Sequence, residues 1–219
     1  MKTILLSVLT LGAFVSEAAA QQPAVGPGAV KFGRVEAQGI KTPEYQIAGG
    51  PQKRSKIGTW LEVEVPYETK VDDVDELTFN FMIMVDNVIC DGNVTYINIP
   101  KGRDHYAVMY IAPRSLEKLT GGRALTGADI QNVWVTVLRQ GQILDGAVYK
   151  VGQPAHNDIL ISGVNSLPTS KLAQNVIVPS YTPAQPPNLP HQTGLVLNKN
   201  ETPFKLLFYD RYEAIKVSR

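Results

Sequence analysis

The side chains able to do chemistry are few, and their spacing is uninformative for most reactions. Asp72, Asp73, Asp75 and Glu76 form an acidic cluster of the hard oxygen donors that Ca2+ prefers, and Asp86 and Asp91 lie not far along the chain. The cluster lacks the glycine and the ligand spacing of a calcium loop, which favours a solvated turn before a hydrophobic strand. An enzyme acting on surface polysaccharide would draw its acid and base from Asp72, Asp75 or Asp91, and would need two facing carboxyl groups at a defined separation. Cys90 and His105 offer a thiol and a base, but Cys90 ends an apolar run, where a small buried hydrophobe is the commoner role. His156 and His191 sit near Pro154 and Pro190 in loop-like sequence and read as solvent-facing. A single Cys excludes an internal disulfide framework and any multi-Cys metal site. The chain contains no glycine-rich phosphate loop, nucleophile elbow or helical pair of His with Glu. The expectation is therefore no enzyme, no catalytic residue, no cofactor and no resident metal.

Composition bounds the rest. A length of 219 residues predicts one principal domain, and 44% hydrophobic against 19% charged residues is enough to bury a sizeable core. With 21 Lys and Arg against 20 Asp and Glu the net charge is +1, and no basic patch of nucleic-acid type emerges.

The first twenty residues read as a signal peptide. Lys2 is the charged region, Ile4 to Val15 the apolar stretch, and Ala18-Ala19-Ala20 the small-residue ending, with cleavage expected after Ala20. An apolar run of about a dozen residues is short of the ~20 that span a bilayer. The mature protein is expected to be exported, without a transmembrane segment, to the cell surface, periplasm or outer membrane. Asn93-Val94-Thr95 and Asn200-Glu201-Thr202 match glycosylation acceptors, and both are expected to be silent in a bacterial chain.

The elements that must carry any surface are strands. After a flexible leader rich in Gly and Pro over residues 21–28, the dominant period is two. Leu61, Val63 and Val65 share one face, with Glu62 and Glu64 expected in solvent on the other. Leu77, Phe79, Phe81, Ile83 and Val85 share a face of an expected central strand, backed by Glu76, Thr78, Asn80, Met82 and Met84. Asp91-Gly92-Asn93 predicts a tight hairpin, and the stretch 139–142 with Gly141 another. Further strands are expected at 30–35, 45–48, 105–111, 132–138, 143–151 and 158–161. Pro113 to Leu119 predicts one short helix, with Ser115 as its cap and Gly121-Gly122 as its stop. Short strands separated by turn signals predict an all-β fold, an immunoglobulin-like antiparallel β-sandwich with Trp60 or Trp134 in its core; a closed barrel is the alternative.

Residues 179–190 carry five prolines in twelve positions and predict an extended spacer. The division expected is thus a signal peptide over 1–20, a sandwich domain over 21–178 and a spacer with a docked C-terminal segment over 179–219. Phe204, Leu206, Leu207, Phe208, Tyr209, Tyr212 and Ile215 are too apolar to be left free, and docking on the chain's own sandwich is preferred. Asp210 and Arg211, adjacent in sequence, are each expected to pair with the body or a neighbour.

Thr202-Pro203-Phe204, followed by Leu207-Phe208-Tyr209-Asp210-Arg211-Tyr212-Glu213, resembles the closing motif of an exported pilus-like family of verrucomicrobial-type bacteria. Gly58-Thr59-Trp60-Leu61-Glu62-Val63 is similar to the same family. The resemblance implies an immunoglobulin-like, type IV pilus-associated surface protein, with assembly or docking through Phe204, Leu207, Phe208, Tyr209, Asp210, Arg211 and Tyr212. Unlike ordinary type IV pilins, the chain has no Gly-Phe processing site before a long apolar helix, so filament subunit and accessory component both stay open. The partners implied are other pilus or surface proteins, itself included. The alternative is a monomeric module binding host glycan or a host surface through Tyr96, Tyr106 and Tyr110, of which Tyr106 and Tyr110 share a strand face.

Overall fold

A computed structural model describes residues 25–26, 28–45, 57–126, 129–150 and 190–217, of which 146–150 are described by backbone alone. The signal peptide, the expected strand at 158–161, nearly all of the spacer, most of the leader and His156 lie outside the described residues.

The fold is an all-β sandwich. One sheet contains β1 (Val30–Phe32), β2 (Glu36–Lys41), β3 (Thr59–Thr69), β6 (Gly102–Ile111) and β10 (Val196–Asn198). Its neighbour contains β4 (Val74–Val85), β5 (Val88–Ile99), β7 (Ile130–Arg139), β8 (Gln142–Lys150), β9 (His191–Thr193) and β11 (Ala214–Ile215). β1 and β2 share one edge of β3, while β9 and β11 share one edge of β5. All pairings are antiparallel except that of β9 with β5, which is parallel.

The period of two decides which side chains enter the space between the sheets. Leu61, Val63 and Val65 of β3, Ala107, Met109 and Ile111 of β6, and Leu77, Phe79, Phe81, Ile83 and Val85 of β4 are all buried in one core. β4 is the expected central strand, bonded to β5 on one side and β7 on the other. Phe79 anchors one end, packing edge-on against Phe32 and Tyr96 and tilted against Tyr67.

The helix α1 runs over Pro113–Leu119 as expected, with Pro at its start and Gly121 and Gly122 at positive φ beyond its end. Its N-cap is Ala112 and not Ser115, and no side chain caps it, because proline already removes one of the orphan N–H donors. The hairpin at 139–142 is also present, turning on Gln140 and Gly141, both at positive φ.

The hairpin expected at Asp91-Gly92-Asn93 is displaced to Asp86-Asn87. Those two residues both hold positive φ, as a two-residue turn requires, and join β4 to β5. Asp91 to Asn93 instead lie in the middle of β5. Gly92 is there for space, since a Cβ on it would come within 2.6 Å of the Val196 carbonyl oxygen and 2.8 Å of the Val196 Cβ. β2 was not expected: Glu36-Ala37-Gln38-Gly39-Ile40-Lys41 is too polar to signal a strand, and its ladder with β3 is what holds it extended. Trp134 is half-buried on the outer face of its sheet, opposite Met82, and is not a core residue.

Candidate functional site

The C-terminal segment builds the site by lying across the outer face of the first sheet. On β3 the alternation that buries Leu61 and Val63 turns Trp60, Glu62 and Glu64 outward, and on β6 it turns Tyr106, Val108 and Tyr110 to the same side. The register sets Glu62 opposite Tyr110 and Glu64 opposite Val108. Glu62 and Glu64 do not face solvent as expected: Glu62 is buried and Glu64 half-buried. The physical reason is the tail above them, a long-range contact that a strand period cannot announce.

The tail reaches that face by crossing between the sheets. It pairs with β5 as β9, passes over Gly92, and pairs with β6 as β10. Three short 3-10 turns follow, at Lys199–Glu201, Pro203–Leu206 and Tyr209–Arg211. Asn198 caps the first turn while the Glu201 carboxylate accepts the Asn198 N–H at 2.9 Å, a reciprocal capping box. Thr202 Oγ1 accepts the Phe204 N–H at 3.2 Å, with Pro203 preset at the start of the second turn. The chain then returns to the other sheet as β11, and the Lys216 N–H donates to the Thr95 carbonyl at 2.8 Å.

Three fastenings hold the tail. Phe204, buried, stacks on Tyr110 with ring centroids 4.9 Å apart and meets Trp60 edge-on at 5.6 Å. With Val108 these rings make a second, smaller core outside the sandwich. The Arg211 guanidinium donates from Nε to Glu64 at 3.0 Å, makes a second bond to the other carboxylate oxygen, and lies 3.6 Å from the ring centroid of Tyr106. The Glu64 carboxylate also accepts the Tyr212 hydroxyl. Glu64 holds Arg211 firmly protonated, while burial, with Glu64 second, pushes the Tyr212 phenol up. Glu213 reaches the interior, its Oε1 lying 2.9 Å from Nδ1 of buried His105, whose ring stacks on Tyr67.

Within this clamp some tail residues are held out in solvent. Leu206 is 74% exposed, Phe208 58% and Tyr209 81%. Phe208 adopts left-handed backbone angles, φ 53° and ψ 44°, a conformation uncommon for a bulky residue, and this aims its ring outward. Phe208 and Tyr209 border a shallow depression with Asp104, Tyr106, Asp210 and Arg211. Of the segment singled out in the sequence, Phe204, Leu207, Arg211 and Tyr212 face the sandwich, whereas Phe208, Tyr209 and Asp210 point away. The adjacent Asp210 and Arg211 behave differently from one another, since only Arg211 has an ion-pair partner among the described residues.

The other sequence candidates do not converge. Asp72 pairs with Lys101, Asp75 with Arg139, Glu76 with Lys216 and Asp86 with Arg123. Among the described residues no three acidic, His or Cys side chains are placed to hold a metal ion. Asp91 pairs with Met82 across the ladder, so the run of β4 from Asp75 to Met82, roughly 23 Å at ~3.3 Å per residue, separates Asp91 from Asp75. That exceeds the about 5 to 9.5 Å a glycosidase pair requires. Cys90 is buried, with its thiol pushed up to about 11 by burial, and His105 is committed to Glu213. His191 lies on β9 with Nδ1 3.5 Å from Asp91. The aromatic platform of Tyr96, Tyr106 and Tyr110 does not exist as a surface: Tyr96 and Tyr110 are buried, and Arg211 lies over Tyr106. Sequence reasoning missed Trp60 and the two Glu of β3 as tail partners. The available signal was a tryptophan beside two carboxylates on a nominally wet face.

A family model matches residues 21–219, essentially the whole chain after the expected cleavage point. The chain belongs to that family. A crystal structure of a protein from Akkermansia muciniphila, a verrucomicrobial bacterium, superposes with a TM-score of 0.64 at 24% identity, covering 87% of this chain and 94% of that one. At that identity the likeness shows the fold, an all-β sandwich. No curated protein sequence matches.

Proposed function

We propose that this member of the family is an exported, pilus-associated surface protein that makes contacts with other surface proteins through its C-terminal segment, and that it performs no catalysis. The observation that carries the reading is the contrast within the tail. Phe204, Arg211 and Tyr212 fasten it to its own sandwich, while Leu206, Phe208 and Tyr209 are held outward on a rigid support. Large apolar side chains grouped at the surface mark contact sites, and a rigid support lowers the ordering cost of using them. Because the tail is already fastened in cis, an assembly would use the surface it presents, and donation of the tail strand to a neighbour would first require breaking the clamp.

The test is crosslinking and fractionation on producing cells, comparing the natural chain with a variant carrying Leu206→Ser, Phe208→Asn and Tyr209→Ser. Asn tolerates the left-handed backbone at 208, so the variant should fold. The natural chain should appear in high-mass crosslinked species outside the cytoplasm and the variant as free monomer. Recovery of the natural chain only as a free monomer would end this reading.

A further inference from the structure

Among the described residues Lys199 is the only lysine or arginine that is buried, at 5% exposure. Its Nζ donates to the Lys205 carbonyl oxygen at 3.3 Å and lies 5.3 Å from the ring centroid of Tyr212. An ammonium carries three donors, so two are left without an acceptor among the described residues. No carboxylate among the described residues pairs with it. Glu213, the acid lining the adjoining cavity, is engaged by His105. Burial alone holds the Lys199 ammonium below the usual lysine range.

Beside this ammonium opens a cavity of about 270 Å³, room for one ring-sized ligand. Lys199, Lys205, Asn200 and Glu213, the last with its carboxylate engaged by His105, supply its polar side, and Tyr209, Tyr212 and Ile215 its apolar side. Buried charges in folded proteins are paired, and a buried cation facing a solvent-accessible cavity without a counter-ion is a site for an anion. Lys205 adds a second positive charge at the rim. Two tyrosine rings provide flat apolar surface, and the Asn200 amide provides donors and an acceptor for hydroxyl groups. A peptide terminus would call on free backbone N–H groups, and two of those in the first 3-10 turn are already engaged: the Asn200 N–H donates to Asn198 Oδ1 at 3.0 Å and the Thr202 N–H to the Lys199 carbonyl at 3.2 Å.

We propose that the cavity between the first 3-10 turn and β11 binds a sugar acid, its carboxylate against Lys199 and Lys205 and its ring against Tyr209 and Tyr212. The site shares Tyr209 with the proposed contact surface, but it is read out by ligand binding to the isolated chain and centres on Lys199, which the assembly test leaves untouched, so either reading can fail without the other. Isothermal titration of the purified mature chain with glucuronate and with galacturonate tests it, using glucose, acetate and the dipeptide Gly-Phe as comparison ligands. At least one sugar acid should give a saturable isotherm and glucose none. Lys199→Met keeps the buried alkyl stem and should weaken binding by about tenfold or more. Lys205→Ala, a rim change that does not touch the core, should weaken it less and covers the case in which Lys199→Met fails to fold. Silence with both sugar acids up to about 50 mM, well beyond millimolar affinity, overturns the proposal. Equal binding by glucose removes the carboxylate from it, acetate binding as tightly as the sugar acid reduces it to a bare anion site, and tighter binding of Gly-Phe replaces it with a peptide-terminus site. Undiminished binding by a folded Lys199→Met also overturns it.

Discussion

Phe204 of the tail lies almost flat on Tyr110 of β6, with ring planes 13° apart and centroids 4.9 Å apart. The stack closes a small core over a face that would otherwise be the solvent side of the sheet. Truncating Phe204 to Ala should cost about 3 to 5 kcal/mol, as for other buried aromatics, whereas Leu206→Ala should stay within about 0.5 kcal/mol. Urea denaturation of the two variants measures the difference. Deleting residues 191 to 219 should lower the melting temperature further, since the tail docks on its own sandwich; an unchanged melting temperature would contradict the clamp.

Gly92 tests the crossover. A methyl group there would meet the Val196 carbonyl oxygen at 2.6 Å and the Met109 Cε at 3.0 Å, and backbone cannot yield as a flexible side chain can. Gly92→Ala should destabilise by about 1 to 3 kcal/mol through overpacking. Hydrogen exchange should show the loss concentrated at residues 196 to 198, with β4 and β7 little changed.

The Glu64 carboxylate serves Arg211 and Tyr212 together, which makes its removal asymmetric. Glu64→Ala should cost about 1 to 3 kcal/mol because the Tyr212 hydroxyl loses its acceptor on a part-buried face. A double-mutant cycle between Glu64 and Arg211 alone should give only about 0.2 to 1 kcal/mol, since the guanidinium is partly in solvent. A coupling above the cost of Glu64→Ala itself would show that Tyr212 plays no part.

Acid stability should depend on Asp75. The Arg139 side chain, bonded at 2.8 Å, is the main cause holding the Asp75 carboxyl below its usual range. A carboxylate whose folded value is depressed contributes stability that is present above its unfolded value, near pH 4, and is lost as pH falls through the folded value. Asp75→Asn should therefore lower the urea midpoint at pH 7 and flatten its decline below about pH 4. Equal slopes in both proteins would show the pair to be energetically silent.

Cys90 should be inert in the folded protein. Its thiol is buried and pushed up to about 11, so little thiolate exists near neutrality. A thiol-specific reagent should label it only after denaturation. Rapid labelling of the native chain would mean that β5 opens locally.

The sequence by itself determined what depends on near neighbours. Alternation fixed the inward faces of β3, β4 and β6, because one buried side per strand forces a period of two whatever the partner strands are. Proline at 113 and glycines at 121 and 122 bounded the helix through backbone angles that belong to those residues. Tertiary structure decided the rest. Asp91-Gly92 and Asp86-Asn87 are both competent turn pairs, and the choice between them follows from the β4 to β5 register and from the approach of Val196. Glu62 and Glu64 look like solvent residues because their alternation is perfect, yet the segment that covers them arrives from the far end of the chain. Lys199 gives the same lesson: a lysine in a polar stretch reads as exposed, and only the folding of three 3-10 turns around it makes its charge a buried one.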